Sequence, residues 1–216
     1  MATRYWDNWD KGDVAETIES YWRTDANESR HRRHLASLAA PYLTTPGLTV
    51  LEVGCGSGLI YDLLSRTFAP NVGYVGVDTS SKMLQIARRN FPNGTFIEGD
   101  AYDLSFEEAA FDVVLCFEVL GHVPRIEMIV PQLLRVARKV CIMTVWRSPT
   151  LPVIDRTEFV GGYQFLHREY SDGYMRRIIS EAKTPVANLR VVALSTKVRA
   201  YVVTPDRGPA FDFDSS

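Results

Sequence analysis

Val50-Leu51-Glu52-Val53-Gly54-Cys55-Gly56-Ser57-Gly58 runs from an apolar segment straight into three glycines at alternate positions. The apolar run Leu48–Val53 has the length of a buried strand, and glycines directly after it allow a tight turn and a close approach of main chain to a ligand. A helix over Leu59–Phe68 should follow at once, with Ile60, Leu63 and Leu64 on one face. This order puts the turn at the carboxyl end of the first strand, the edge where open α/β sheets bind ligands. The spacing speaks against one ligand class. A dinucleotide fingerprint, Gly-x-Gly-x-x-Gly, needs glycine where Leu59 stands, which disfavours a nicotinamide-dependent oxidoreductase. Glu52, two residues before the first glycine, is a poor companion for pyrophosphate but suits an ammonium or sulfonium cation.

Downstream of the turn, strands and helices alternate. Tyr74–Val77, Thr95–Ile97, Phe111–Phe117 and Val140–Trp146 read as strands. Between them, Ser80 can cap a helix carrying Met83, Leu84, Ile86, Ala87 and Phe91. Pro124 is expected to open another, with Ile126, Ile129, Val130, Leu133, Leu134 and Ala137 in a stripe. Such alternation demands a parallel sheet with helices on both faces. Upstream, the first 45 residues read as helical: Val14, Ile18, Tyr21 and Trp22 form one stripe, and Leu35, Leu38, Ala39 and Tyr42 a second, stopped by Pro46-Gly47. Beyond the fifth strand, Arg147 to Arg168 reads as irregular, and Ser171 can cap a helix to about Glu181. Leu189–Leu194 and Val198–Val203 are too close together for a parallel crossover, so they should form an antiparallel hairpin at the sheet edge. The expected class is α/β: a Rossmann-like three-layer αβα sandwich with a seven-stranded, mostly parallel sheet and an N-terminal helical lid. We expect a single domain over 1–216, with lid 1–45, core 48–146 and C-terminal half 147–204.

Bulk charge narrows the partners. A formal net charge of -2 gives no electrostatic reason to expect nucleic acid. The run Arg30, His31, Arg32, Arg33, His34 spreads over more than half a helix circumference and reads as a solvated face. Cys55, Cys116 and Cys141 are widely spaced and odd in number, which suggests neither a disulfide framework nor a metal site. The N-terminus lacks a basic-then-apolar leader, and no apolar stretch approaches membrane-spanning length. A cytoplasmic protein without nucleic-acid or membrane partners is expected.

Acidic residues recur at successive strand ends. Asp78 closes the second strand and could accept from both ribose hydroxyls of an adenosine; Asp100 follows the third and could accept from an adenine amino group; Phe117 and Glu118 follow the fourth. With the glycine turn, these segments closely resemble the class I S-adenosylmethionine (SAM)-dependent methyltransferases, in particular their small-molecule group. Glu52-x-Gly54-x-Gly56-x-Gly58 is similar to the first family motif and Gly76-Val77-Asp78-Thr79-Ser80-x-x-Met83-Leu84 to the second. Gly99-Asp100-Ala101 is similar to the third, and Phe111-Asp112-Val113-Val114 leading to His122-Val123 to the fourth. Gly121 departs from the pattern, since many relatives carry a larger residue there. The resemblance implies SAM as cofactor and S-adenosylhomocysteine (SAH) as product. It puts the backbone of Gly54, Cys55, Gly56 and Gly58 along the methionine part, with Glu52 supporting the loop or the ammonium. It assigns Asp78 to the ribose, Thr79 or Met83 to the adenine, Asp100 and Ala101 to the adenine edge, and Phe117 to the neighbourhood of the sulfonium.

The expected reaction is in-line methyl transfer to a small-molecule acceptor, on O or N, with no catalytic metal, by a monomer or homodimer. His122 follows the fourth strand on the ligand edge and is the preferred general base; the alternative is a loop histidine that caps the next helix or packs under the cofactor. His31 and His34 are lesser candidates, and Arg30 or Arg33 could meet the SAM carboxylate or an acidic acceptor. The aromatic N-terminus (Tyr5, Trp6, Trp9, Tyr21, Trp22) suits a lid, facing Trp146, Arg147, Tyr163 and Phe165. Trp22, His31, Trp146, Arg147 and Tyr163 are accordingly the candidate acceptor-binding residues. Two rival readings stay open: a methyltransferase acting on RNA or protein, and a non-catalytic SAM-binding regulator. Cys116-Phe117-Glu118-Val119 stands where an Asn-Pro-Pro-Tyr motif would mark attack on a planar amine, which argues against the first.

Overall fold

The computed structural model describes residues 5–11, 13–69, 71–160 and 162–208; the parts of the expected lid and domain at 1–4 and 209–216 lie outside the described residues. Five parallel strands form the centre: β1 (Thr49–Val53), β2 (Gly73–Asp78), β3 (Thr95–Glu98), β4 (Phe111–Cys116) and β5 (Ala137–Arg147). Their order is β3-β2-β1-β4-β5, so the chain reverses direction across the sheet between β1 and β4. That switch point opens a crevice outside the carboxyl ends of the strands. Side chains alternate between two cores. Leu51, Val53, Val114, Cys116, Cys141 and Met143 face one cluster, while Val50, Val113, Leu115, Val140 and Ile142 face the other. Near-continuous apolar sequence is what a sheet covered on both sides requires.

The helices form where stripes and caps coincide. α4 (Ser81–Asn90) starts where Ser80 accepts from the Met83 N–H at 3.1 Å, and α6 (Asp172–Glu181) starts where Ser171 accepts from Tyr174 at 3.2 Å. α5 (Ile126–Val136) buries Ile126, Ile129, Val130, Leu133 and Leu134. It begins two residues after Pro124, and Arg125, not the proline, takes the cap position. Ala137, expected in that helix, instead starts β5. The helix after the glycine turn is α-helical only over α3 (Leu59–Leu63) and becomes π-helical over Leu64–Phe68.

The sheet has nine strands among the described residues, not seven. β8 (Val186–Ala193) and β9 (Val198–Pro205) form the expected antiparallel hairpin, and β9 pairs antiparallel with β5. The segment read as irregular folds into a second hairpin, β6 (Val153–Val160) and β7 (Tyr163–Tyr170). Its position follows from the amides at the end of β5. Arg147 N–H bonds to Lys197 O on the β9 side, and Ser148 N–H bonds to Tyr170 O on the β7 side. Successive amides point to opposite edges, so β7 takes up the edge of β5 that β4 leaves at Cys116. The extra hairpin therefore stands directly over the ligand edge of the sheet.

The N-terminal helices α1 (Val14–Thr24) and α2 (Ala26–Ala39) cover the same edge, hinged at Asp25, which caps α2 through Asn27 and Glu28 N–H groups at 2.9 Å. A 3-10 turn, Tyr5–Asp10, precedes them. Val14, Ala15 and Ile18 pack with Met83, Ile86 and Phe165, joining α1, α4 and the hairpin.

Candidate active site

The turn after β1 has the backbone its glycines allow. Gly54, Gly56 and Gly58 have φ of +78°, +51° and +82°. At Gly54 a Cβ would lie 2.1 Å from Val119 Cγ2, so the loop can close on the β4 side only without a side chain. Gly54 and Cys55 N–H groups both bond to Val77 O, at 2.7 and 3.0 Å. Asp78 then braces the turn: Oδ2 accepts from Gly56 N–H at 2.8 Å and Oδ1 from Ser80 N–H at 2.9 Å. Each oxygen keeps a second lone pair for a ligand.

A cavity of about 660 Å³ opens above this turn, within the range that encloses one or two small molecules. Its wall includes Glu52, Gly54, Cys55, Gly56, Asp78, Thr79, Met83, Asp100, Ala101 and Phe117 from the expected cofactor set. His122, Trp22 and Trp146 line it too. Four expected residues do not. Gly58 turns toward Phe91 and Phe96, where a Cβ would clash at 3.0 and 2.9 Å, so it is a packing glycine. His31 lies behind Glu118, bonded to it at 2.9 Å. Arg147 turns its Nε toward Asp172, 3.9 Å away. Tyr163 packs against the cluster of α1, α4 and hairpin side chains.

Glu52 differs electrically from expectation. It is 2% exposed and accepts a hydrogen bond from the Tyr74 hydroxyl. Burial pushes its carboxyl up to about 8, so at neutral pH it carries a proton rather than a standing negative charge. Burial likewise raises Asp78, against the pull of its backbone hydrogen bonds. Asp100 spends one oxygen on Tyr102 N–H at 2.9 Å.

The basic run on α2 is not uniformly solvated. Arg30, Arg33 and His34 are exposed, but Arg32 is buried and enters the cavity. Its Nη1 donates to Glu118 Oε2 at 3.2 Å, its Nη2 lies 3.4 Å from Glu28 Oε2, and its guanidinium sits 4.3 Å from the centre of the Trp22 ring. Arg32 Nε and Nη2 and Ser57 Oγ are buried without a hydrogen-bond partner among the described residues. Unsatisfied donors of this kind beside a glycine turn fit a polar, carboxylate-bearing ligand. Glu118 holds Arg32 and His31 together; burial opposes its charge, but those two partners outweigh burial and keep the carboxyl below its usual value.

At the far end stands His122. Its Nδ1 faces Leu166 O at 2.8 Å, and because a carbonyl can only accept, Nδ1 carries the proton and Nε2 keeps a lone pair. Burial holds this imidazole below the usual histidine value, so it is neutral at pH 7. Gly121 beside it explains its own departure from the family pattern: a Cβ there would lie 2.2 Å from the Trp146 ring, so the small residue makes room for the indole.

Residues 50–140 match the family model described as methyltransferase domain. That stretch, less than half of the chain, is similar to a methyltransferase domain. The chain is 37% identical over 112 residues to a fatty-acid O-methyltransferase of Mycolicibacterium smegmatis, covering 51% of the chain and 40% of that relative. It is 34% identical over 116 residues to a demethylmenaquinone methyltransferase of Lactococcus lactis, covering 50% and 45%. The chain thus spans less than half the length of these curated relatives. In fold it is similar to magnesium protoporphyrin IX methyltransferase of Synechocystis, solved with bound SAM, at a TM-score of 0.68 and 18% identity over 93% of this chain and 94% of that one.

Several cavity residues escaped sequence reasoning, Arg32, Glu158 and His167 among them, while Trp9, named only as part of the aromatic lid, lines the cavity too. Arg32 had a signal. It lies three, four and seven residues before Leu35, Ala36 and Ala39, all buried, and so extends their stripe inward by one turn.

Proposed function

We propose that this chain is a methyltransferase that binds SAM over the glycine turn and methylates a small-molecule acceptor on O or N, with His122 as general base. One observation carries this reading: a single cavity runs from the Gly54–Gly56 turn and the tip of β2 to His122. When bound, SAM supplies an activated methyl on a sulfonium whose sulfur leaves as a neutral thioether. The chain's own part is to bind, align and exclude water. Gly54 and Gly56 backbone would hold the methionine portion, Glu52 the ammonium and Arg32 the carboxylate, a role we move from Arg30 and Arg33. Asp78 would take the ribose, Thr79 or Met83 the adenine face, Asp100 and Ala101 its edge, and Phe117 the region of the sulfonium. Such positioning is worth up to ~7–11 kcal/mol. His122 Nε2 would accept the acceptor's proton, a step that contributes on the order of 10²–10⁴-fold.

Calorimetry with SAM tests the binding half: Asp78→Ala should weaken affinity at least about tenfold, and unchanged affinity refutes the ribose assignment. Labelled-methyl transfer tests the chemical half. His122→Ala should slow turnover far more than it weakens SAM binding, and equal turnover in mutant and parent removes His122 as base.

A further inference from the structure

The acceptor end of the cavity is walled by rings. Trp146, seated on the bare backbone of Gly121, lies 4.2 Å from the His167 ring at 34° and meets His122 edge-on at 5.0 Å. Trp9 closes the other side, 5.7 Å from His122 and 4.8 Å from Phe165. Rings so placed favour a planar aromatic partner, stacked against one and edge-on to another.

Charge at this end narrows the choice. Arg32 belongs to the glycine-turn end and is already shared between Glu118 and Glu28. The charged group on the hairpin side is a carboxylate, Glu158, whose Oε2 lies 3.5 Å from His167 Nδ1. A carboxylate acceptor at this end would meet the exposed Glu158, and the one arginine of the described cavity wall, Arg32, is already engaged by Glu118 and Glu28. An ammonium acceptor would suit Glu158 but has no lone pair to attack with until it loses a proton, whereas a hydroxyl oxygen attacks with its own lone pair while its proton leaves.

We infer that the acceptor is a planar hydroxylated aromatic compound, a phenol or its heteroaromatic equivalent, held between Trp146 and Trp9 with its hydroxyl on His122 Nε2. This rests on the methyl-transfer reading above. In the step, the hydroxyl oxygen forms its bond to the methyl carbon as the carbon–sulfur bond breaks. The electron pair of that bond goes to sulfur, and the hydroxyl proton goes to Nε2. The products are an aryl methyl ether, SAH and protonated His122, which returns its proton to solvent.

The test is calorimetric titration of the full chain with 2-naphthol, palmitate and phenethylamine, each with and without SAH, followed by labelled-methyl transfer from SAM. Saturable binding and methylation of 2-naphthol are expected, with neither palmitate nor the amine competing. Trp146→Ala should weaken 2-naphthol binding about tenfold while leaving SAH affinity unchanged, and Trp146→Phe should recover most of it. Preference for palmitate or the amine overturns the inference, as does no saturable binding of 2-naphthol, whatever SAH does. Failure of SAH itself to bind is separate: it sinks the methyl-transfer reading, while naphthol binding to the free protein still judges the acceptor class.

Discussion

Glu52 holds its proton at neutral pH because the sheet has removed it from water and left Tyr74 as its partner. Bringing an ammonium beside it should drive that proton off. SAM binding at pH 7 is therefore expected to release a proton, visible as a dependence of the binding heat on the buffer's ionisation enthalpy and absent in Glu52→Gln. The same carboxyl sets a stability trend. Its value is raised from 4.5 in the open chain to about 8 in the fold, so its stabilising contribution is complete below pH 4.5 and is lost as pH rises through 8. Denaturant midpoints of the parent should fall between pH 5 and 9, and those of Glu52→Gln should fall less; parallel curves would contradict the assignment. His122 runs the other way. A base held below the ordinary histidine value stays deprotonated in mildly acidic solution, so turnover should persist below pH 6.5 before it drops. A pH–rate profile that already declines near 7 on its acidic side would exclude it. Gly54 makes a steric prediction: Gly54→Ala combines positive φ with a 2.1 Å clash, and should lower Tm by about 5 °C or more and abolish SAM binding.

Among elements, what the sequence disclosed depended on how far each one relies on its own pattern. β1, β4 and β5 are buried on both faces and so had to be written as apolar runs. α4 and α6 carry stripes with serine caps, and both were legible. The β6–β7 hairpin was not, because its strands bear charges rather than a clean apolar alternation. Cross-strand ion pairs hold it instead, Arg168 with Asp155 at 2.5 Å and Arg156 with Glu169 at 2.7 Å. A signal did exist: the dipeptide Gly161-Gly162 separates its two runs, the spacing of a two-residue hairpin turn. For the site, the glycine turn and strand-end acids were readable because each sits at a fixed offset from a strand. At the far end of the cavity Trp9, Trp146, Phe165 and His122 were readable as well, but Glu158 and His167 were not, since their place depends on how a hairpin folds back. α2 shows the remaining case. Its inward arginine was hidden in a run of basic residues, and the helix depends on a local cap. Asp25→Ala should cost about 1 kcal/mol and loosen Arg32, read as lower Tm together with weaker SAM binding.

On the scale of the molecule, the cavity is covered from two sides that are fastened differently. The N-terminal cover is tied by side chains: Asn8 Nδ2 donates to Gln164 O at 2.6 Å, and Asp10 accepts from Ser80 Oγ at 2.6 Å and Lys82 N–H at 3.1 Å. The hairpin cover is part of the sheet ladder. Trp146 is in register with Val198 on one edge and with Glu169 on the other, so the indole stands where the two edges fork. Hydrogen-bonded strands do not swing independently, whereas a few polar side-chain contacts can open on their own. We therefore expect traffic in and out of the chamber to pass the 3-10 turn and α1, with the opposite side as a fixed template. Loosening the tether at Asp10 would change how quickly molecules come and go, while the choice of molecule would stay with a wall that cannot step aside.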